Sequence, residues 1–148
     1  MGRYTYDYPR PMVTVDCILI QEQNEHKLIL LIQRGQEPFK NMWALPGGFV
    51  DMDEDLSDAA QRELLEETGI KCENLKQFAT FGKPGRDPRG RTVSVVYYGI
   101  VKPESSNAVA GDDAASAQWF FLQDLPELAF DHSVIVYEFF EKIKEFDV

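Results

Sequence analysis

The chain has 148 residues, a hydrophobic share of 44%, a charged share of 27% and a formal net charge of −10. That length suits one domain, residues 1–148, with a sizeable core. The acidic balance argues against a nucleic-acid partner, because phosphate binding favours clustered Lys and Arg. No apolar run approaches the ~20 residues that span a bilayer, so no membrane partner is expected. The start, MGRYTYDYPR, lacks the apolar stretch of a secretory signal, and Tyr6 stands where a myristoylation motif needs Ser or Thr. Cys17 and Cys72 each stand alone, with no ligand spacing around them. They read as buried reduced thiols of a cytoplasmic protein.

In chain order, MVTVDCILI (12–20) and KLILLIQR (27–34) read as strands joined by the polar turn QEQNEH. Pro46-Gly47-Gly48 then interrupts, between WAL and FVD, and should bend the backbone sharply. A helix follows, with Asp55 as N-cap, Asp58 at N3 and Gly69 at the left-handed C′ position. KQFATFGK (76–83) and TVSVVYYGIV (92–101) read as strands around the basic loop PGRDPRGR, and SAQWFF (116–121) as a short strand. SVIVYEFFEKIKEF (133–146) closes the chain as a helix, with Val136, Phe139, Phe140 and Ile143 as its apolar stripe. The mixture predicts an α/β fold, a mixed sheet with helices on its faces. Trp43, Phe49 and Trp119 read as core aromatics.

The charge is not evenly spread. From Asp51 to Glu67 there are eight acids against one base, a net of −7. At about 100° per residue, with Glu63 as zero, Glu67 lies near +40° and Glu66 near −60°. Ala59, Ala60 and Leu64 fall at about −40°, +60° and +100°. Glu63 and Glu67 therefore sit within the apolar stripe rather than opposite it. A carboxylate there must take up a proton or find a partner. Arg62 can pair with Glu66 one turn away, but one arginine cannot balance three glutamates. A hard divalent cation with oxygen ligands, Mg²⁺ or Mn²⁺, would resolve the repulsion. Zinc is disfavoured, since no His or Cys lies in the cluster.

The same residues form a family pattern. Gly48, five residues, Glu54, seven residues, Arg62-Glu63-Leu64, one residue, Glu66-Glu67, one residue and Gly69-Ile70 resembles the box of the Nudix hydrolases. PFKNMWALPGGFV before it and GDDAASAQWFFLQDLP after it are also similar to family members. The resemblance implies an α/β/α sandwich around a mixed sheet, and metal-dependent hydrolysis of a nucleoside diphosphate linked to another group. It implies that Glu63, Glu66, Glu67 and the Gly47 carbonyl are metal ligands, with Glu54 in support through the metal shell or water. Arg62 would orient the glutamates, Gly48 and Gly69 would be turn residues, and Glu66 or Glu67 could accept a proton from water. A later-loop acid often adds a ligand or base in this family, and Asp113, beside Asp112, is the candidate here.

The substrate side is read from the loop. Gly82 to Arg91 holds four bases and one acid, +3 in an acidic chain, and guanidinium forks suit phosphate. YPRPMVTVD, PGRDPRGRTVSVVYYGIV, GDDAASAQWF and LAFDHSVIV resemble the ADP-ribose pyrophosphatase branch. Pro84 and Pro88 fall to either side of the place where that branch often carries a marker proline. The resemblance implies ADP-ribose as the small-molecule substrate, cleaved to AMP and ribose 5-phosphate, with Arg10, Arg86, Arg89, Arg91 and His132 as substrate contacts. It also implies a homodimer. The alternatives are a house-cleaning hydrolase of modified nucleoside triphosphates and a non-catalytic ADP-ribose sensor. Sensors of this kind carry a DNA-binding module after the domain, for which the sequence to Val148 leaves no room.

Overall fold

A computed structural model describes residues 3–103 and 114–146. Its elements are β1 (Met12–Gln23), β2 (His26–Arg34), β3 (Trp43–Ala44), β4 (Gly47–Phe49), α1 (Leu56–Thr68), β5 (Lys76–Phe81), β6 (Thr92–Ile100), β7 (Ala114–Phe121) and α2 (His132–Phe146), with a 3-10 turn at Leu122–Asp124. The described strands form one sheet in the order β3-β2-β1-β6-β5, with β4 paired to β1 and β7 to β2. β1 and β6 run parallel and the other pairs antiparallel, so the sheet is mixed.

The two-residue period of β1 sorts the core into two layers. Val15, Cys17 and Leu19 pack with Ala59, Ala60 and Leu64 of α1. Ile18 and Ile20 pack with Ile135, Val136 and Phe139 of α2. The predicted stripe of α2 faces this second layer, and Phe140 and Ile143 border it. A helix on each face of a mixed sheet is the expected α/β/α sandwich. Each fully buried aliphatic side chain here stabilises the fold by about 1.5–3 kcal/mol. Both cysteines are free and buried. Cys17 donates to the Ala60 carbonyl, and burial pushes its thiol well above the ordinary range.

Some boundaries differ from the reading. The 21–26 turn shrinks to Asn24-Glu25, both at positive φ (52° and 68°), because the strands continue pairing as far as Gln23 and His26. The 116–121 strand starts at Ala114, extended by pairing along β2. Gly48 is not a turn residue. It lies in β4 opposite Val15, and the absence of a side chain serves close approach instead. A Cβ there would stand 2.6 Å from the Glu63 carboxylate, and one at Gly47 would collide with the Val15 carbonyl and the Asp16 carboxylate. Gly69 is the left-handed residue expected, at φ 75°, where its N–H closes α1 on the Leu65 carbonyl. At the other end the Asp55 carboxylate accepts from the Leu56 N–H at 2.7 Å.

Candidate functional site

α1, β4, the 82–91 loop and the start of α2 surround a cavity of about 470 Å³. Glu63, Glu66 and Glu67 line one wall, with Gly47 and Gly48 beside them. Helical spacing explains the arrangement. Ala59, Ala60, Leu64 and Thr68 are buried and anchor the inner side of α1, while Leu65 is exposed. The three glutamates fall at the margin between these sides.

Each glutamate meets a different environment. Glu67 accepts the Gly47 N–H at 2.7 Å, and the charge of Arg34, which lines the same cavity, also acts on it. Burial, with Glu63 and Asp16 as nearby like charges, pushes its pKa up to about 8. Burial also raises Glu63, although Arg62 opposes the shift through a 2.9 Å hydrogen bond. The Glu66 side chain is 41% exposed and lies 3.1 Å from Arg62.

Arg62 ties the box together. Its Nε and terminal nitrogens donate to both Glu54 oxygens at 2.9 and 2.6 Å, to Glu63, to Glu66, and to the Phe49 carbonyl at 3.1 Å. These bonds raise the guanidinium pKa and hold Glu54 below the usual carboxylate range. Glu54 also receives the Asp51 N–H. Its carboxylate is thus a partner of Arg62 and closes the loop 51–54, and it is not among the residues lining the cavity.

The opposite wall is a buried polar layer. Thr14 and Asp16 of β1 and Ser94 of β6 occupy the α2 face of the sheet, where the strands continue as Ile18, Ile20 and Val96. The Thr14 and Ser94 hydroxyls share a short hydrogen bond. Arg86 forks onto Asp131 at 2.9 and 2.6 Å and reaches Ser94 at 2.7 Å, fastening the basic loop to the start of α2. His132 is buried, and its Nδ1 accepts the Leu45 N–H at 3.0 Å, which leaves the ring proton on Nε2. Nε2 stands 3.8 Å from Asp16 Oδ2. Burial lowers the His132 pKa and raises that of Asp16. Both shifts favour neutral forms, so this approach is not a strong ion pair.

Of the expected substrate contacts, Arg86, Arg89 and His132 line the cavity. Arg10 instead stacks on Tyr6, 4.0 Å from the ring centroid, and Arg91 is exposed at the entrance to β6. Neither is among the lining residues. Asp113 and Asp112 lie outside the described residues. Thr14, Asp16, Arg34, Asp87 and Ser94 also line the cavity and are not among the residues expected there. The available signal was a lone polar residue at an inward strand position, as in MVTVDCILI and TVSVVYYGIV. Phe49 departs from its expected core role: it is 41% exposed on the cavity rim, because β4 ends there.

The donor chemistry fits a hard divalent cation: carboxylates of Glu63, Glu66 and Glu67, plus the Gly47 carbonyl, all oxygen. Glu67 supplies the physical reason, a largely buried carboxylate that burial, Glu63 and Asp16 push toward its neutral form, with the Arg34 charge opposing. Among the described residues, no three carboxylate, imidazole or thiol groups stand assembled as a cage, since Arg62 holds two of the glutamates and Gly47 the third.

Residues 10–142 match the model of the NUDIX domain family. The chain is 42% identical over 132 residues to an ADP-ribose pyrophosphatase of Methanocaldococcus jannaschii, covering 89% of this chain and 75% of that one. It is 38% identical over 141 residues to the ADPR responsive transcriptional repressor NtrR of Acinetobacter baylyi, covering 93% of this chain but 56% of the repressor. Among solved structures, the NUDIX domain of Shewanella oneidensis NrtR complexed with ADP ribose superposes with a TM-score of 0.84 at 31% identity, over 93% of this chain and 94% of that one. No helix among the described residues is long and apolar enough to cross a membrane.

Proposed function

The chain belongs to the Nudix family of pyrophosphohydrolases, and from that premise we propose that it hydrolyses ADP-ribose to AMP and ribose 5-phosphate with Mg²⁺ or Mn²⁺. The observation that carries the reading is Glu67, set on the cavity wall with Glu63 and Asp16 as like charges and its pKa pushed up to about 8 by burial despite the Arg34 charge. A pyrophosphate brought to that wall would add negative charge to negative charge. Glu63, Glu66, Glu67 and the Gly47 carbonyl would hold the cation. When bound, a divalent ion supplies charge neutralisation for the phosphates and makes a water more acidic.

The rest falls to the protein. A water oxygen bonds to one phosphorus while the bridging P–O bond breaks, and two phosphomonoesters leave. Glu67 is the better placed proton acceptor, because Glu66 is drawn to Arg62 and to solvent. Arg62 fixes the carboxylates, and Gly47 and Gly48 let the strand approach them. Asp16, His132, Ser94 and Arg86 offer a polar wall for the sugar and phosphate groups. A homodimer is part of the same reading, by likeness to the family branch alone.

A second reading, an ADP-ribose sensor without turnover, draws support from the likeness to the ADPR responsive repressor and to the NrtR domain complexed with ADP ribose. One substrate panel separates the options. With Mg²⁺, ADP-ribose should give AMP and ribose 5-phosphate by chromatography. Its kcat/KM should exceed those of modified nucleoside triphosphates and dinucleoside polyphosphates by about tenfold or more. Preference for modified triphosphates would replace the substrate assignment. Tight ADP-ribose binding without AMP release would identify a sensor.

A further inference from the structure

Three flat groups meet on the cavity rim. The Arg89 guanidinium carbon lies 4.8 Å from the centroid of the Phe49 ring and 5.1 Å from that of Phe130. Arg89 is not a mobile cation. Its backbone N–H and its guanidinium all bond to the Asp87 carboxylate, at 2.9 to 3.3 Å. Asp87 is buried, and although burial opposes it, Arg89 holds that carboxyl below its usual range. The guanidinium is thus largely neutralised and fixed in orientation, a wall more than a phosphate trap.

The two rings are also unusual in their settings. Phe49 keeps 41% of its surface exposed, beside a polar cavity and two residues from Gly47. Phe130 has φ 54°, a left-handed conformation that is rare for a bulky side chain. Held there, its ring stacks edge-on with Phe39 at 4.8 Å between centroids and still lines the cavity. Strained backbone of this kind gathers where a side chain must be aimed. Core packing alone does not account for Phe49, which belongs to no buried cluster among the described residues.

We propose that Phe49, Arg89 and Phe130 form the nucleobase platform of this cavity, with a flat base stacking against the Phe49 ring. The inference rests on reading the cavity as a nucleoside-diphosphate site, and it adds where the base is recognised. Stacking on aromatic and guanidinium planes favours any base with a π face. The backbone that carries the Phe49 ring is tied to the acidic helix, since the Phe49 carbonyl accepts from Arg62. A base seated there shares the cavity with the glutamates of α1 and with Asp16 and His132, where the phosphates and the sugar would be met.

The test compares the two halves of the substrate as separate ligands. AMP and ribose 5-phosphate are titrated by calorimetry into wild type, Phe49→Leu and Phe49→Tyr, with Mg²⁺ present and thermal melting as a check on folding. Phe49 is exposed, so Leu keeps apolar bulk while removing the flat face. AMP affinity should fall about tenfold in Phe49→Leu and be kept in Phe49→Tyr, with ribose 5-phosphate affinity unchanged in both. Unchanged AMP affinity in Phe49→Leu, equal losses for both ligands, or no AMP binding by the wild type would each overturn the platform. Turnover of ADP-ribose by the wild type is scored separately. AMP binding that depends on Phe49 without that turnover keeps the platform and removes the substrate reading.

Discussion

Glu67→Gln is expected to lower kcat by about 10³-fold while making the metal-free protein more stable in neutral and mildly alkaline solution. Both effects come from one carboxylate. In the folded chain its pKa is pushed up to about 8 from an ordinary value of 4.5. The folded state therefore binds the proton more tightly than the unfolded state. The Glu67 contribution is fully present below pH 4.5 and is lost as pH rises through about 8. At about 1.4 kcal/mol per pKa unit, reduced because the cavity admits water, the loss is on the order of 3 kcal/mol. Glutamine keeps the shape and cannot ionise, so this decline should vanish. Urea unfolding of the two metal-free proteins from pH 4.5 to 8.5 reads it directly. A variant that unfolds more easily at pH 8 than wild type would mean that the ionised Glu67 carboxylate stabilises the fold, contrary to this expectation.

Arg62→Ala should act with the opposite pH sign. The guanidinium bonds to Glu54, Glu63 and Glu66, and its side chain is 28% exposed. Removing it leaves three carboxylates repelling one another. Breaking a fully buried pair costs about 3–5 kcal/mol, and the partial exposure brings the expected cost to about 2 kcal/mol. Glu54 sets the window. Arg62 holds its folded pKa below 4.5, so the stabilisation is present above that pH and is lost as pH falls through the lowered value. The variant should therefore be weaker than wild type at pH 7 and close to it in acid. Its kcat should fall about 10²-fold, as expected when catalytic groups are displaced. Added Mg²⁺ should recover more stability in Arg62→Ala than in wild type, because the cation replaces the missing charge. Full activity in a destabilised Arg62→Ala protein would confine Arg62 to charge balance and remove its orienting role.

The acidic helix was legible because its signals are local. Caps at Asp55 and Gly69 depend on a few neighbouring residues, and the clash of Glu63 and Glu67 with an apolar stripe follows from helical period alone. The sheet layers were legible from alternating apolar residues. The polar wall was legible only in part: His132 and Arg86 were named, but Thr14, Asp16 and Ser94 come from β1 and β6, and only the parallel β1–β6 register brings Thr14 opposite Ser94. A single Asp inside MVTVDCILI carries no local mark of what it faces. Phe49 was misread for a related reason: a large aromatic beside a glycine pair looks like core until β4 is seen to end at the cavity rim. Arginines of the 82–91 loop were legible as a group but not one by one, since Asp131 and Asp87, which hold Arg86 and Arg89, were not recognised as their partners.

The acidic margin of α1 is completed by a cation from solution. Manganese titration of the purified metal-free protein, following the magnetic resonance signal of free Mn²⁺ with and without AMP, tests this most directly. Saturable uptake by wild type, weakened about tenfold or more in Glu67→Gln, is the expected result. No uptake by wild type even with AMP, or equal uptake by both proteins, would contradict it.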